Sequence, residues 1–196
     1  MVGLARVELS KEFYGISWED YFPRNLAPGS SVELSNFEEF SEFLKKHEAR
    51  SLDEKTRVAY YRIAGDYFAF RHEGVLAGVF VGTPVDWSTY YLRYALILPE
   101  FRLKGLWQGF LTHFLSVLKK YGIERVEGDV SPSNLGQIHT FNKMQFNITG
   151  MQVTERWGTV LKFTKYLSGA SESQFLDRFC EGVQPQRINP ERRAIP

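Results

Sequence analysis

The feature that most constrains the fold is the change in apolar period along the chain. Three β-rich runs, 66–71, 75–83 and 90–98, follow one another, and His72-Glu73-Gly74 between the first two is a hairpin signal. Helical spacing of apolar residues then returns over 106–121. Strands joined by tight turns pair antiparallel, whereas a helix between two strands indicates a crossover connection. The pattern therefore predicts a mixed sheet rather than a purely parallel one.

The same signals predict the elements on either side. They are a strand at 31–34, a helix opened by a capping box at 35–38, a second helix opened by a box at 51–54 and closed by Gly65, a strand at 125–130, a helix at 134–144, and an antiparallel pair at 147–157 and 159–167 around Gly158. The chain order is then β-α-α-β-β-β-α-β-α-β-β. We expect an irregular N-terminal extension over 1–30, one domain over 31–167, and a tail over 168–196 with a short helix.

Composition excludes several classes of protein. The 196 residues carry 24 basic and 23 acidic side chains, so the chain lacks the charge expected for binding nucleic acid or an anionic membrane. The single cysteine, Cys180, excludes an internal disulfide framework, and the histidines show no metal-ligand spacing. The first residues lack the apolar run of a signal peptide, and the longest apolar stretch, 75–81, is too short to span a bilayer. These features predict a cytoplasmic protein that binds no metal, nucleic acid or membrane.

The segment 96–108 is the one that indicates chemistry. A strand ends there, a short loop brings Arg102, Lys104 and Gly105, and a helix begins at once. The first amides of a helix are unpaired donors at the positive end of its dipole, and glycine lets backbone approach a ligand closely. The junction therefore predicts an anion site. The alternative is that both cations are solvated loop charges and the glycine only shapes a turn.

Two motifs in this region resemble those of the GNAT superfamily of acyl-CoA N-acyltransferases. Arg102-Leu-Lys-Gly105-Leu-Trp107 matches the family pattern Arg/Gln-x-x-Gly-x-Gly/Ala except at its last position. About thirty residues later, the family has Asn-x-x-Ala-x-x-x-Tyr-x-Lys-x-Gly-Phe. Here Asn134, Lys143 and Phe146 fall in register, while the alanine, tyrosine and glycine are replaced by Gln137, Phe141 and Gln145. The order of elements over 31–167 is also similar to that family's.

The resemblance implies an α+β fold with three layers, α/β/α, around a mixed and mostly antiparallel sheet. It implies an acyl-CoA donor, acetyl-CoA or another, with its diphosphate on the amides of 104–108 assisted by Arg102. The edges of Ile97 and Leu98 would pair with the pantetheine amides, and Asn134 would contact the cofactor arm. The implied cofactor-binding residues are Ile97, Leu98, Arg102, Lys104, Gly105, Leu106, Trp107, Gln108, Asn134, Phe141 and Lys143. For Asn134, a capping box with Gln137 is an equally good explanation.

Two departures from the pattern affect the implied reaction. Trp107 stands where the family has a small residue, so its indole either crowds the phosphates or points back toward the core. Phe141 stands where the family commonly has a tyrosine that protonates the leaving thiolate, and phenylalanine cannot do so. Because a thiol with a pKa near ~8.5 is already a tolerable leaving group, the loss of this acid should slow the reaction by at most roughly 10²–10⁴ without abolishing it.

The reaction implied is direct attack of an amine on the thioester, with a backbone amide near Leu98 stabilising the carbonyl oxygen. Candidates for proton transfer are Glu127, Asp129, Tyr94 and His139, each of which also has an ordinary surface or packing explanation. The acceptor would be a small-molecule or peptide amine, and the sequence is compatible with a homodimer.

The alternative function is a GNAT-like domain that has lost catalysis and acts as a CoA-binding sensor or interaction module. The high aromatic content, 15%, fits either an aromatic core or an aromatic acceptor pocket.

Overall fold

Eight strands form one sheet in the order β1-β2-β3-β4-β5-β6-β8-β7 in the computed structural model, which describes residues 9–47, 65–155 and 157–179. The strands are β1 (Arg24–Ala27), β2 (Ser30–Leu34), β3 (Asp66–His72), β4 (Val75–Asp86), β5 (Thr89–Ile97), β6 (Arg125–Val130), β7 (Asn147–Thr154) and β8 (Gly158–Tyr166). The helices within the described residues are α1 (Leu9–Tyr14), α2 (Phe37–His47), α3 (Leu106–Lys120), α4 (Leu135–Lys143) and α5 (Gly169–Phe179). Neighbouring strands pair antiparallel except β5 and β6, which are parallel. The predicted mixed, mostly antiparallel sheet is confirmed.

The turns that set the strand register use residues with left-handed backbone. Glu73 and Gly74 form the two-residue turn between β3 and β4, with φ of 51° and 79°. Positive φ at both central positions is the geometry that matches the twist of an antiparallel hairpin. Gly158, with φ of 66°, begins β8 directly after its turn from β7. Both turns lie where the sequence predicts them.

The sheet is covered on both faces. On one face α3, α4 and the N-terminal segment pack over a large core that includes Phe68, Phe80, Phe110 and Phe114. On the other face α2 packs Phe40, Phe43 and Leu44 over Val79 and Val81 of β4. Part of the aromatic content is thus core, and the three layers implied by the resemblance are present.

The N-terminal segment differs from the irregular extension that the sequence predicts. Its described part contains α1, a 3₁₀ turn at Trp18–Asp20 and β1, which is the first strand of the sheet. Trp18 is 1% exposed and stacks on Phe114 at 4.6 Å between ring centroids. Asp66 of β3 anchors α1, because its carboxylate accepts hydrogen bonds from Ser10 and, at 2.8 Å, from the Tyr90 hydroxyl. Burial raises the pKa of the Asp66 carboxyl.

The remaining predictions concern the start of α2, the helix after residue 51 and the tail. The capping of α2 is displaced by one residue from the predicted box, since Asn36 Oδ1 accepts from the Glu39 amide at 2.9 Å and Ser35 Oγ donates to Glu39 Oε2 at 2.6 Å. The predicted helix after residue 51 lies outside the described residues, as do Cys180 and the rest of the tail beyond residue 179. The predicted short helix in the tail is present as α5.

Candidate active site

A gap opens in the sheet where β5 and β6 diverge. The two strands pair in parallel from Thr89↔Arg125 to Leu92↔Gly128. Both strands continue beyond that point, but they no longer pair with each other. At the same level the register between β4 and β5 skips Arg93, since Val81 pairs with Tyr94 and Gly82 with Leu92. An extra residue of this kind bends its strand and ends local pairing. The bulge therefore accounts for the divergence.

A cleft of about 350 Å³ lies at this divergence and is lined by residues from both faces of the sheet. Trp107, Asn134 and Phe141 line it on the face covered by α3 and α4. Tyr91, Tyr94 and Asp129 line it with Trp157 of the β7–β8 turn. A volume of this size suits a small ligand or the reactive end of a larger one.

The loop before α3 has the geometry of an anion site. Gly105 caps the helix with φ of 78°, makes no side-chain capping bond, and has no atom within 4 Å of where a Cβ would stand. The first amides of α3 lack partners inside the helix, and their dipole favours a negative ligand. Leu106 is buried, whereas Gln108 is exposed. The bend therefore offers open space beside several backbone donors.

The two cations of the loop point in different directions. Arg102 folds back along the sheet, where its Nε donates to the Ile97 carbonyl oxygen at 2.9 Å. Lys104 turns toward β3, where its Nζ donates to His72 Nε2 at 3.0 Å, and it lies 5.3 Å from the centroid of the Phe101 ring. Both side chains are exposed, so each adds positive charge at the rim of the bend.

The Trp107 indole points into the core rather than across the bend. Its ring stacks on Phe110 at 5.8 Å and lies 5.5 Å from Phe80. The indole N–H is buried and has no hydrogen-bond partner among the described residues. The position that a small residue usually occupies in the family is thus compatible with tryptophan here, because the bend around Gly105 stays open.

The backbone amides at the free edge of β5 are those of Ala95 and Ile97 and not that of Leu98. The Leu98 amide donates to the Ala77 carbonyl oxygen on β4 at 3.0 Å, so it does not face the cleft. Successive residues of a strand direct their N–H groups to opposite edges, so the amides of Ile97 and Ala95 point toward the gap. The Leu98 amide itself is therefore engaged on β4, whereas Ile97, which was predicted with it at this edge, and Ala95 direct their amides toward the gap.

The two acids of β6 have different surroundings. Glu127 lies 3.0 Å from the Lys162 ammonium and 3.8 Å from Arg125, and it is not at the cleft wall. Asp129 lines the cleft, and its Oδ2 accepts from the Tyr91 hydroxyl at 3.0 Å. Its Oδ1 is buried without a hydrogen-bond partner among the described residues. An ionised carboxylate with one hydrogen bond keeps most of its capacity to accept others.

The other predicted site residues divide between cleft and surface. Tyr94 and Phe141 line the cleft, and Phe141 is 2% exposed and stacks on Phe146 at 4.3 Å. Asn134 lines it too, while its Oδ1 accepts from the Gln137 amide at 3.2 Å as the helix cap. His139 and Lys143 are exposed on α4 and are absent from the cleft wall.

Most of the residues that line the cleft were not among the sequence candidates, and Tyr91, Arg93 and Trp157 are the ones that bear on its chemistry. No local signal in the sequence marks the bulge at Arg93, so neither the position of the gap nor the place of Tyr91 beside it could be predicted. Within the described ranges no three histidine, cysteine or acidic side chains group as a metal site, and no helix is long and apolar enough to cross a membrane.

A diverging mixed sheet, with an open amide-rich bend on one side and a carboxylate on the other, is the arrangement of an acyl-CoA-dependent N-acyltransferase. A model of the acetyltransferase (GNAT) family matches residues 12–146, more than half of the chain. The chain therefore belongs to the GNAT acetyltransferase family. No curated protein sequence matches it significantly.

Solved structures share the fold at low identity. The ribosomal-protein-S18-alanine N-acetyltransferase of Escherichia coli is 17% identical with a TM-score of 0.59, covering 71% of this chain and 94% of that one. A putative acetyltransferase, yncA, of Salmonella typhimurium with its cofactor acetyl-CoA is 16% identical with a TM-score of 0.54, covering 72% and 95%. The spermidine/spermine N-acetyltransferase SpeG of Vibrio cholerae, in complex with manganese ions, is 14% identical with a TM-score of 0.56, covering 79% and 99%.

Proposed function

We propose that the protein transfers an acetyl group from acetyl-CoA to a primary amine in the cleft between β5 and β6. The observation that carries the proposal is the divergence of these strands next to the open bend at Gly105. The bend would hold the diphosphate on the first amides of α3, with the charge of Arg102 and Lys104 beside it. The arm that carries the thioester would then run along the free edge of β5 into the cleft.

The free edge also supplies donors for the thioester carbonyl. The amides of Ala95 and Ile97 point into the gap, and donors fixed by a sheet cost no reorganisation when charge develops on the carbonyl oxygen. The C–N bond forms as the C–S bond breaks, and the thiolate leaves without a tyrosine to protonate it. Phe141 occupies the place where the family commonly has that acid, so the protonation falls to solvent.

We assign Asp129 as the base that takes a proton from the acceptor amine. As a carboxylate in the cleft wall it can accept a proton from the incoming ammonium, and the Tyr91 hydroxyl holds it in place. Glu127 is less suited to act as this base, because its carboxylate forms an ion pair with the Lys162 ammonium at 3.0 Å. Tyr94 lines the same cleft as a second polar group, whereas His139 lies outside it.

The test separates binding from turnover. Titration calorimetry should detect acetyl-CoA, and a thiol reagent should detect free CoA when an amine is added. Asp129→Asn should lower kcat by ~10²–10⁴ while acetyl-CoA still binds. Asp20→Asn, the same change at an exposed position on the N-terminal 3₁₀ turn, is the matched control. Absence of acetyl-CoA binding at millimolar ligand would refute the proposal.

A second function is supported by Phe141 alone. A domain that binds acyl-CoA without transferring its acyl group needs the bend and the free edge but no acid at this position. Acetyl-CoA binding with no thiol release across a broad panel of amines would favour this sensor function over catalysis.

A further inference from the structure

The acceptor side of the cleft combines aromatic rings with one carboxylate. Tyr91, Tyr94 and Trp157 line it together with Asp129. The Trp157 amide donates to Thr154 Oγ1 at 2.9 Å, which fixes the end of the β7–β8 hairpin beside the cleft. Ring faces of this kind bind apolar and aromatic groups and attract a cation near them.

The charge of the cleft wall is small. Among the described residues that line it, Asp129 is the acid and Arg93 the base. Lys162 lies opposite Asp129 in the strand register but donates to Glu127, so Asp129 is the carboxylate of the cleft wall that can meet the ammonium of an acceptor. A second ammonium in this cleft would lose water without meeting a second carboxylate, and such burial is costly.

We infer that the acceptor is a primary amine with a single positive charge and an aromatic or bulky apolar body, and that polyamines are discriminated against. The inference rests on the proposed function, since it concerns the amine that attacks the thioester. Its ammonium would meet Asp129, and its body would lie against the rings of Tyr94 and Trp157. A cleft of about 350 Å³, shared with the end of the donor, limits this body to roughly one ring system.

Matched amines test charge and ring separately. Butylamine and 1,4-diaminobutane have the same carbon chain and differ by one ammonium, while 2-phenylethylamine adds a ring to a monoamine. With acetyl-CoA as donor and thiol release as the assay, we expect kcat/KM to be at least tenfold higher for butylamine than for 1,4-diaminobutane. It should be at least tenfold higher again for 2-phenylethylamine, with spermidine among the poorest acceptors.

A pair of tryptophan variants tests the position of the ring. Trp157→Leu should reduce the preference for 2-phenylethylamine over butylamine at least threefold, because it removes a ring from the cleft wall. Trp87→Leu makes the same change on the turn between β4 and β5, where Trp87 is 79% exposed and does not line the cleft. That variant should keep the wild-type preference.

The outcomes distinguish this inference from the function on which it rests. If 1,4-diaminobutane or spermidine reacts as well as or better than the monoamines, the inference is overturned and the transferase function stands. If acetyl-CoA binds but no amine releases thiol, the proposed transfer fails and the inference fails with it. Equal preferences in Trp157→Leu and wild type would overturn the assignment of the ring to Trp157.

Discussion

Gly105 and Gly122 stand at opposite ends of α3 and offer a sharp test of the anion site. Their φ angles are 78° and 80°, and neither has an atom within 4 Å of where a Cβ would stand. An alanine at either position therefore meets the same backbone strain and no clash within the protein. The two positions differ in one respect, because the proposed ligand lies at Gly105 and not at Gly122.

The expected magnitudes follow from this geometry. Left-handed backbone costs a residue with a Cβ about 1–2 kcal/mol, and the smaller entropy of the unfolded alanine chain offsets about 0.4–1 kcal/mol of it. At this chain length, 1 kcal/mol lowers Tm by roughly 2–4 °C. Binding should respond differently, since a methyl group at Gly105 displaces a phosphate from at least one amide. A charge-assisted hydrogen bond is worth about 1.5–3 kcal/mol, which corresponds to a roughly 10–100-fold increase in Kd.

The assay compares both variants with the wild type. Thermal denaturation without ligand should give Gly105→Ala and Gly122→Ala the same lowered Tm within about 2 °C. Calorimetric titration with acetyl-CoA should then show a raised Kd for Gly105→Ala and the wild-type Kd for Gly122→Ala. If both variants bind acetyl-CoA equally well, the diphosphate does not lie at this bend, and the reasoning from the open glycine is refuted.

Three other predictions concern the core and the missing acid. Burial raises the pKa of Asp66 above its ordinary 3.8, so the folded state holds the proton of this carboxyl more tightly than the unfolded chain does. The free energy of unfolding therefore falls as pH rises from about 4 through the raised pKa. Asp66→Asn should remove this fall, so its Tm relative to wild type should increase from pH 4 to pH 8, and a constant difference would contradict the assignment. Phe141→Tyr should raise kcat by at most ~10²–10⁴ where the acid step limits the rate, because the ring at position 141 ends beside Gly128 at the cleft. Phe114→Ala, which removes the ring stacked on Trp18, should lower the free energy of unfolding by about 3–5 kcal/mol in urea denaturation, and a loss below 1 kcal/mol would contradict this packing.

Local signals were sufficient to predict most of the strands and helices. The hairpin at Glu73-Gly74 and the ends of α3 and β6 follow from turn chemistry and from the period of apolar residues. The bend at Gly105 was also predictable, because a strand, a glycine and a helix follow one another within a few residues. Each of these features depends on neighbours in the chain, and that is why the sequence indicates them.

Features that depend on distant partners were not predictable. Ile16, Trp18 and Phe22 show no period of their own, yet they are buried because the sheet and α3 close over them. The difference between Glu127 and Asp129 depends on Lys162, which arrives from β8. From β6 alone the two acids look equivalent, since both lie on the same face of the strand.

The divergence of β5 and β6 is itself an argument for function. Each further hydrogen bond between the strands would stabilise the sheet by about 0.5–1.5 kcal/mol, but pairing stops at Leu92↔Gly128 although both strands continue. Backbone groups left open within a sheet need partners from water or from a ligand. The bulge at Arg93 keeps those groups on the wall of the cleft, between the bend on one face and Asp129 on the other. A donor bound along the edge of β5 would complete the sheet and bring its thioester to the cleft that residues of both faces line, so acyl-CoA binding and access of the acceptor would depend on the same gap.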